Sequence, residues 1–247
     1  MQRGIMTNIR LTMEYDGTNY KGWQRQEGKP TIQGSLEYAL KKVTKKEITT
    51  FGASRTDAGV HALCQTVTFD NDTIIPPKNL HIALNDILPR DIFITKLEKV
   101  KSGFHARHSA KIKSYRYTVY NGKDRKVFLK NFVWYWRFPL DIKKMKAAAK
   151  FLLGRHDYRP FSCDEERENT LRTVDKIKIF KIKDMVFIDV TAKSFLRRQV
   201  RMMAGFLVQA GGSRVKPEIA KEIFNKTTGI KPLVAPASGL CLTKIKY

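Results

Sequence analysis

A ten-residue run, Gly52-Ala53-Ser54-Arg55-Thr56-Asp57-Ala58-Gly59-Val60-His61, sets one carboxylate among small side chains with a guanidinium two places before it. An ionised carboxylate can act as a nucleophile or stabilise charge developing on a substrate carbon. The glycines at 52 and 59 permit backbone angles closed to other residues, and the small side chains at 53, 54 and 58 let a bulky ligand approach. Asp57 would then stand at the floor of a cleft. The same letters also spell a tight hairpin in which Asp57 bonds its own backbone and Arg55 is solvated.

The elements that must position this loop are legible on both sides of it. Apolar-polar alternation stops at Thr49-Thr50-Phe51 and resumes at Val67-Thr68-Phe69, so the run joins two strands. Before it, Ile9, Leu11, Met13 and Tyr15 alternate with polar residues as a half-buried strand does, and Leu36, Leu40 and Val43 share one face of a helix over 33–46. After it come a helix over 78–87, stopped by Pro89, and a strand at Ile92-Phe93-Ile94. The second half begins with a strand through Tyr115, Tyr117 and Val119. A helix over 141–153 capped by Asp141, strands over 174–182 and 185–191, a helix over 196–210, a short helix opened by Pro217 and a last strand over 240–245 follow. The loop with Asp164, Glu165, Glu166 and Glu168 reads as a solvated excursion.

Composition narrows the partners. The 247 residues carry 47 lysines and arginines against 23 acids, a formal charge of +24 that favours a polyanion: RNA, DNA or an anionic membrane. The longest apolar stretch, 202–210, is interrupted by Gly205 and Gln209 and is far shorter than a bilayer span, so a soluble protein with no membrane partner is expected. Three cysteines, at 64, 163 and 241, form no Cys-x-x-Cys pair, which argues against a disulfide framework or structural zinc and fits a reducing cytoplasm. His105 and His108 lie three apart, but no cysteine or carboxylate close in sequence completes a ligand set, and no metal is expected.

The run Arg-Thr-Asp-Ala-Gly-Val-His resembles the catalytic loop of the tRNA pseudouridine synthase A family, although Ala53-Ser54 stands where the family more often has Ala-Gly. Glu14-Tyr15-Asp16-Gly17 and Gly22-Trp23-Gln24-Arg25-Gln26 resemble the opening of that family. Phe104-His105-Ala106-Arg107 and Tyr115-Arg116-Tyr117 resemble its middle, and Gly239-Leu240 its end. The resemblance implies an α+β fold of two ferredoxin-like units, residues 1–104 and 105–247, with antiparallel sheets meeting around a central basic cleft. It implies conversion of uridine to pseudouridine at tRNA positions 38, 39 and 40 in the anticodon arm, by a homodimer, without a cofactor and with no role for DNA.

By the same resemblance Asp57 is the catalytic carboxylate and Arg201, in Phe195-Leu196-Arg197-Arg198-Gln199-Val200-Arg201, is the cation that pairs with it. Tyr115 stacks on the target uracil, and Arg55 enters the space left when the nucleotide flips out. Each residue also has a plainer reading. Arg197 and Arg201, four apart, would share a basic helix face; Tyr115 would be a core strand residue; Arg55 would touch phosphate only. At the level of function, a synthase with other target sites and a basic RNA-binding protein without turnover stand as alternatives. An RNA methyltransferase is weaker, since no glycine-rich turn follows a strand.

Overall fold

The computed structural model describes residues 7–163 and 168–247. It divides into two compact units, Met1–Lys111 with Leu242–Tyr247, and Ile112–Cys241. Of the acidic excursion expected over 162–169, residues 164–167 lie outside the described residues.

The first unit runs β1 (Thr7–Tyr15), α1 (Ile32–Thr44), β2 (Phe51–Gly52), β3 (His61–Asn71), α2 (Pro77–Ile87) and β4 (Ile92–Lys99). The strands pair antiparallel in the order β4-β1-β3, with β2 added to β3 through Phe51 opposite Thr68 and Gly52 opposite Val67. That is the split βαββαβ arrangement expected of a ferredoxin-like unit. In β1 the alternation places Ile9, Leu11, Met13 and Tyr15 inside, together with Leu36 and Leu40 of α1 and Leu80 and Leu84 of α2. Burying each such aliphatic side chain is worth roughly 1.5–3 kcal/mol. Helix α1 starts on Thr31, whose hydroxyl accepts from the Gly34 N–H. It stops at Lys45, which turns left-handed and sends its N–H to Lys41, so the helix ends two residues short of the 33–46 expectation.

The second unit runs β5 (Ile112–Tyr120), β6 (Trp134–Tyr135), α3 (Ile142–Phe151), β7 (Gly154–Asp157), β8 (Leu171–Ile182), β9 (Met185–Ala192), α4 (Gln199–Gly211) and α5 (Ile219–Asn225). Its antiparallel sheet is ordered β5-β9-β8-β7, and β6 lies parallel to one end of β5. Asp141 caps α3 as expected, accepting from the N–H groups of Lys143 at 2.7 Å and Lys144 at 3.2 Å. Helix α4 is buried along most of its length, Met203, Ala204, Phe206, Leu207 and Val208 completely. The last strand, β10 (Leu240–Lys246), contributes its residues from Leu242 onward to the first unit, where they lie beside β3. The fold is α+β with almost wholly antiparallel pairing. Among the described residues no helix is long and apolar enough to cross a membrane, and no three histidine, cysteine or acidic side chains gather as a metal site.

Candidate active site

The Asp57 loop hangs between β2 and β3, and the first unit fixes nearly every step of its backbone. The Ala53 N–H donates to Thr66 O at 2.8 Å. The Ser54 N–H donates to the side-chain oxygen of buried Gln65 at 3.2 Å, and the Gln65 amide donates back to Ser54 O at 2.6 Å. Thr56 O accepts from the Trp23 N–H at 3.0 Å, while the Thr56 and Tyr15 hydroxyls bond to each other at 2.9 Å in the interior. The Val60 N–H closes a turn onto Asp57 O at 3.1 Å, and Gly59, at φ 76°, occupies the left-handed position of that turn while its N–H reaches Tyr20 O.

This anchoring explains two motifs at once. The Tyr15–Trp23 segment is the wall against which the loop lies. Gly22, at φ 94°, passes so close that a Cβ there would stand 2.7 Å from Thr56 O and 3.1 Å from the Ala58 nitrogen. A Cβ on Gly52 would enter the Trp23 ring. His61, buried where the loop re-enters the sheet, has Nδ1 3.1 Å from the Gly17 N–H and 3.1 Å from Asp16 Oδ1. With Nδ1 bare the ring accepts from Gly17, and with hydrogen on Nδ1 it donates to Asp16, so one nitrogen serves one contact at a time. Asp57 itself is half-buried at the tip, and Arg55 is exposed.

In the second unit Tyr115 lies on β5 opposite Val190, 7% exposed, with its ring edge-on to Phe195 at 5.4 Å. Tyr117, on the same face, is fully buried. Its hydroxyl donates to Pro236 O at 2.8 Å, and burial pushes its pKa far above the ordinary tyrosine value against the opposing charge of Arg201. Arg201 sits in the first turn of α4 and is tied to the segment after α5: its Nε donates to Ala235 O at 2.8 Å, and the Ala235 N–H donates to Arg201 O at 3.2 Å. The second unit thus gathers Tyr115, Phe195, Tyr117 and Arg201. Asp57 and Arg55 belong to the first.

The helix expected over 196–210 begins only at Gln199. Arg198 is left-handed at φ 60°, and the Gln199 side chain accepts the Leu196 N–H at 2.8 Å, folding 195–198 into a turn. Arg197 is therefore not on α4, and the shared basic helix face with Arg201 does not exist. Sequence reading also passed over Gln65 and the Tyr15–Thr56 pair. A glutamine among the β-branched and apolar residues of Thr66-Val67-Thr68-Phe69 is the one signal that could have marked the first.

Comparison with known proteins bears on the whole chain. The family model described as tRNA pseudouridine synthase matches residues 11–109 and 148–247. A tRNA pseudouridine synthase A of Thermoanaerobacter sp. (strain X514) is 41% identical over 244 residues, 98% of this chain and all of that protein. A tRNA pseudouridine synthase A 2 of Clostridium perfringens (strain 13 / Type A) is equally similar over the same length, and a tRNA pseudouridine synthase A of Moorella thermoacetica is 40% identical over 246 residues. Together these define an RNA-modifying isomerase. The chain belongs to the tRNA pseudouridine synthase A family, enzymes that convert uridine in tRNA to pseudouridine.

Proposed function

We propose that this isomerase acts on uridines 38, 39 and 40 of the tRNA anticodon arm, with Asp57 as its catalytic carboxylate. The observation that carries the reading is the hydrogen-bonded frame around Asp57. A loop with so many of its backbone groups engaged holds one carboxylate half-exposed at its tip, which a solvated hairpin would not require.

The reaction breaks the bond from ribose C1′ to uracil N1, turns the base and joins C1′ to C5. The C5 proton leaves, and N1 ends protonated, so the change is an isomerisation with no net redox step. Asp57 adds to C1′ or to C6 as a carboxylate during the exchange, and Arg201 supplies the cation that pairs with it. Tyr115 stacks on the detached base, and Arg55 fills the place the flipped nucleotide vacates. The protein works as a homodimer in the cytoplasm, one tRNA touching both subunits. What supports these roles is the family membership together with the motifs that carry each residue.

The test uses tRNA tritiated at uracil C5. The native protein releases label to water and Asp57→Asn does not, while Asp57→Asn still binds tRNA. Carbodiimide treatment followed by reverse transcription then maps the altered nucleotides. Stops outside 38–40 overturn the site assignment, and absence of release from every elongator tRNA overturns the activity itself.

A further inference from the structure

Where the start of α1 meets the end of α2, the first unit holds a cavity of about 380 Å³ lined by Lys29, Pro30, Gly34, Tyr38, Ile87 and Pro89. Its walls set Tyr38, Ile87 and two prolines beside Lys29, Thr31 and Ser35 and remain open to solvent, Tyr38 being 58% and Ile87 40% exposed. The cavity is at the small end of the range that takes a compact ligand.

The charge around it is positive and side-chain in origin. Lys42 places its ammonium 5.3 Å over the Tyr38 ring, and Lys29 stands on the wall. Arg25 runs its stem past Gly34, held there by an ion pair at 3.1 Å with buried Glu37. The start of α1 offers no amide to an anion. The Ile32 N–H donates to Gly22 O, Gln33 to Trp23 O, Gly34 to the Thr31 hydroxyl and Ser35 to Thr31 O. With Arg25 already paired to Glu37, a negative group would be met by Lys29 and Lys42, and a flat apolar group by Tyr38 against the prolines. That division of labour matches one ligand class, a nucleotide whose base is unstacked and whose phosphates face cations.

We infer that this cavity binds a second tRNA nucleotide, distinct from the uridine that is isomerised, with its base on Tyr38 and its phosphates against Lys29 and Lys42. The inference rests on the tRNA reading given above. It adds a contact at helices α1 and α2 whose lining residues are none of those of the 52–61 loop.

The experiment measures tRNA affinity by filter binding at fixed salt for the native chain, Tyr38→Ala, Tyr38→Phe and Lys42→Ala, with urea midpoints to confirm folding. Tyr38→Ala is expected to weaken tRNA about tenfold, as loss of one base–aromatic stack does. Tyr38→Phe should bind within about twofold of native, since the ring is kept. Photocrosslinking of a 4-thiouridine-substituted tRNA transcript to the native chain should label the peptide containing Tyr38. The inference is overturned if Tyr38→Ala binds tRNA as tightly as native, or if crosslinks fall only elsewhere. It is also overturned if the variants alter sedimentation rather than tRNA affinity, or if free uridine monophosphate binds the cavity while tRNA affinity does not move. Native tritium release alongside unchanged Tyr38→Ala affinity sinks this inference alone, whereas absence of native release sinks the reading beneath it.

Discussion

Gln65 grips Ser54 at both of its backbone polar groups, its oxygen taking the N–H at 3.2 Å and its amide giving to the carbonyl at 2.6 Å. One side chain from β3 thus does what a neighbouring strand would do, three residues ahead of Asp57. Gln65→Leu keeps the volume and removes both bonds. Because the site is buried, a cost of roughly 1–3 kcal/mol is expected. Thermal unfolding should show it as a lower Tm. Tritium release should fall further than that stability loss explains, because the loop ahead of Asp57 loosens. Equal activity at saturating tRNA would show that the clamp matters to stability alone.

Gly22 and Gly28 both have positive φ, at 94° and 65°, but of the two only Gly22 has the Asp57 loop against it; a Cβ on Gly28 meets nothing within 4 Å. Alanine at either position carries backbone strain of about 1–2 kcal/mol. At 22 the new carbon also presses on Thr56 O and Ala58 N, so Gly22→Ala is expected to abolish most tritium release while Gly28→Ala retains it. Paired urea midpoints and initial rates check this.

Arg201 donates through Nε to Ala235 O, a bond that a lysine at 201 cannot reproduce while presenting the same planar cation. Arg201→Lys should lower the single-turnover rate on the order of tenfold, which corresponds to about 1.4 kcal/mol at the transition state. A rate equal to native would remove Arg201 from the site.

Lys96 and Arg10 hold the Glu98 carboxyl below the usual glutamate range, the Lys96 hydrogen bond acting most strongly. A carboxyl whose folded pKa is depressed contributes stability above its unfolded pKa and loses it as pH falls through the folded value. The difference in urea midpoint between native protein and Glu98→Gln is therefore expected to hold from neutral pH down to the ordinary carboxylate range and to shrink below it. The pair is partly exposed, so the difference should be small, and salt should reduce it.

Local signals carried the elements well. Alternation in β1, the apolar stripe of α1, the Asp141 cap and the proline after α2 each depend on residues a few places apart, and each appears within two or three residues of its expected limits. What the chain did not disclose depends on distance along it. Tyr15 meets Thr56 across 41 residues and Gln65 meets Ser54 across 11, so no local pattern names the partner of either side chain. The late start of α4 is a different case. A left-handed arginine carries no compositional mark, and the Gln199 side chain accepts the Leu196 N–H while the Gln199 N–H donates to Leu196 O, so 196–199 close into a turn ahead of the helix. Asp57 could be singled out because its loop is short and glycine-bounded. Tyr115 could be located, yet its contact with Phe195 could not.

Residues 242–247 lie in the unit where the chain began, and Tyr247 secures them there by donating to Ala106 O at 3.0 Å while its ring packs against Phe104 at 4.8 Å. During synthesis the unit that carries Asp57 must wait for residues 242–247 until everything between has left the ribosome. Damage to the last six residues is therefore felt first by the half translated earliest.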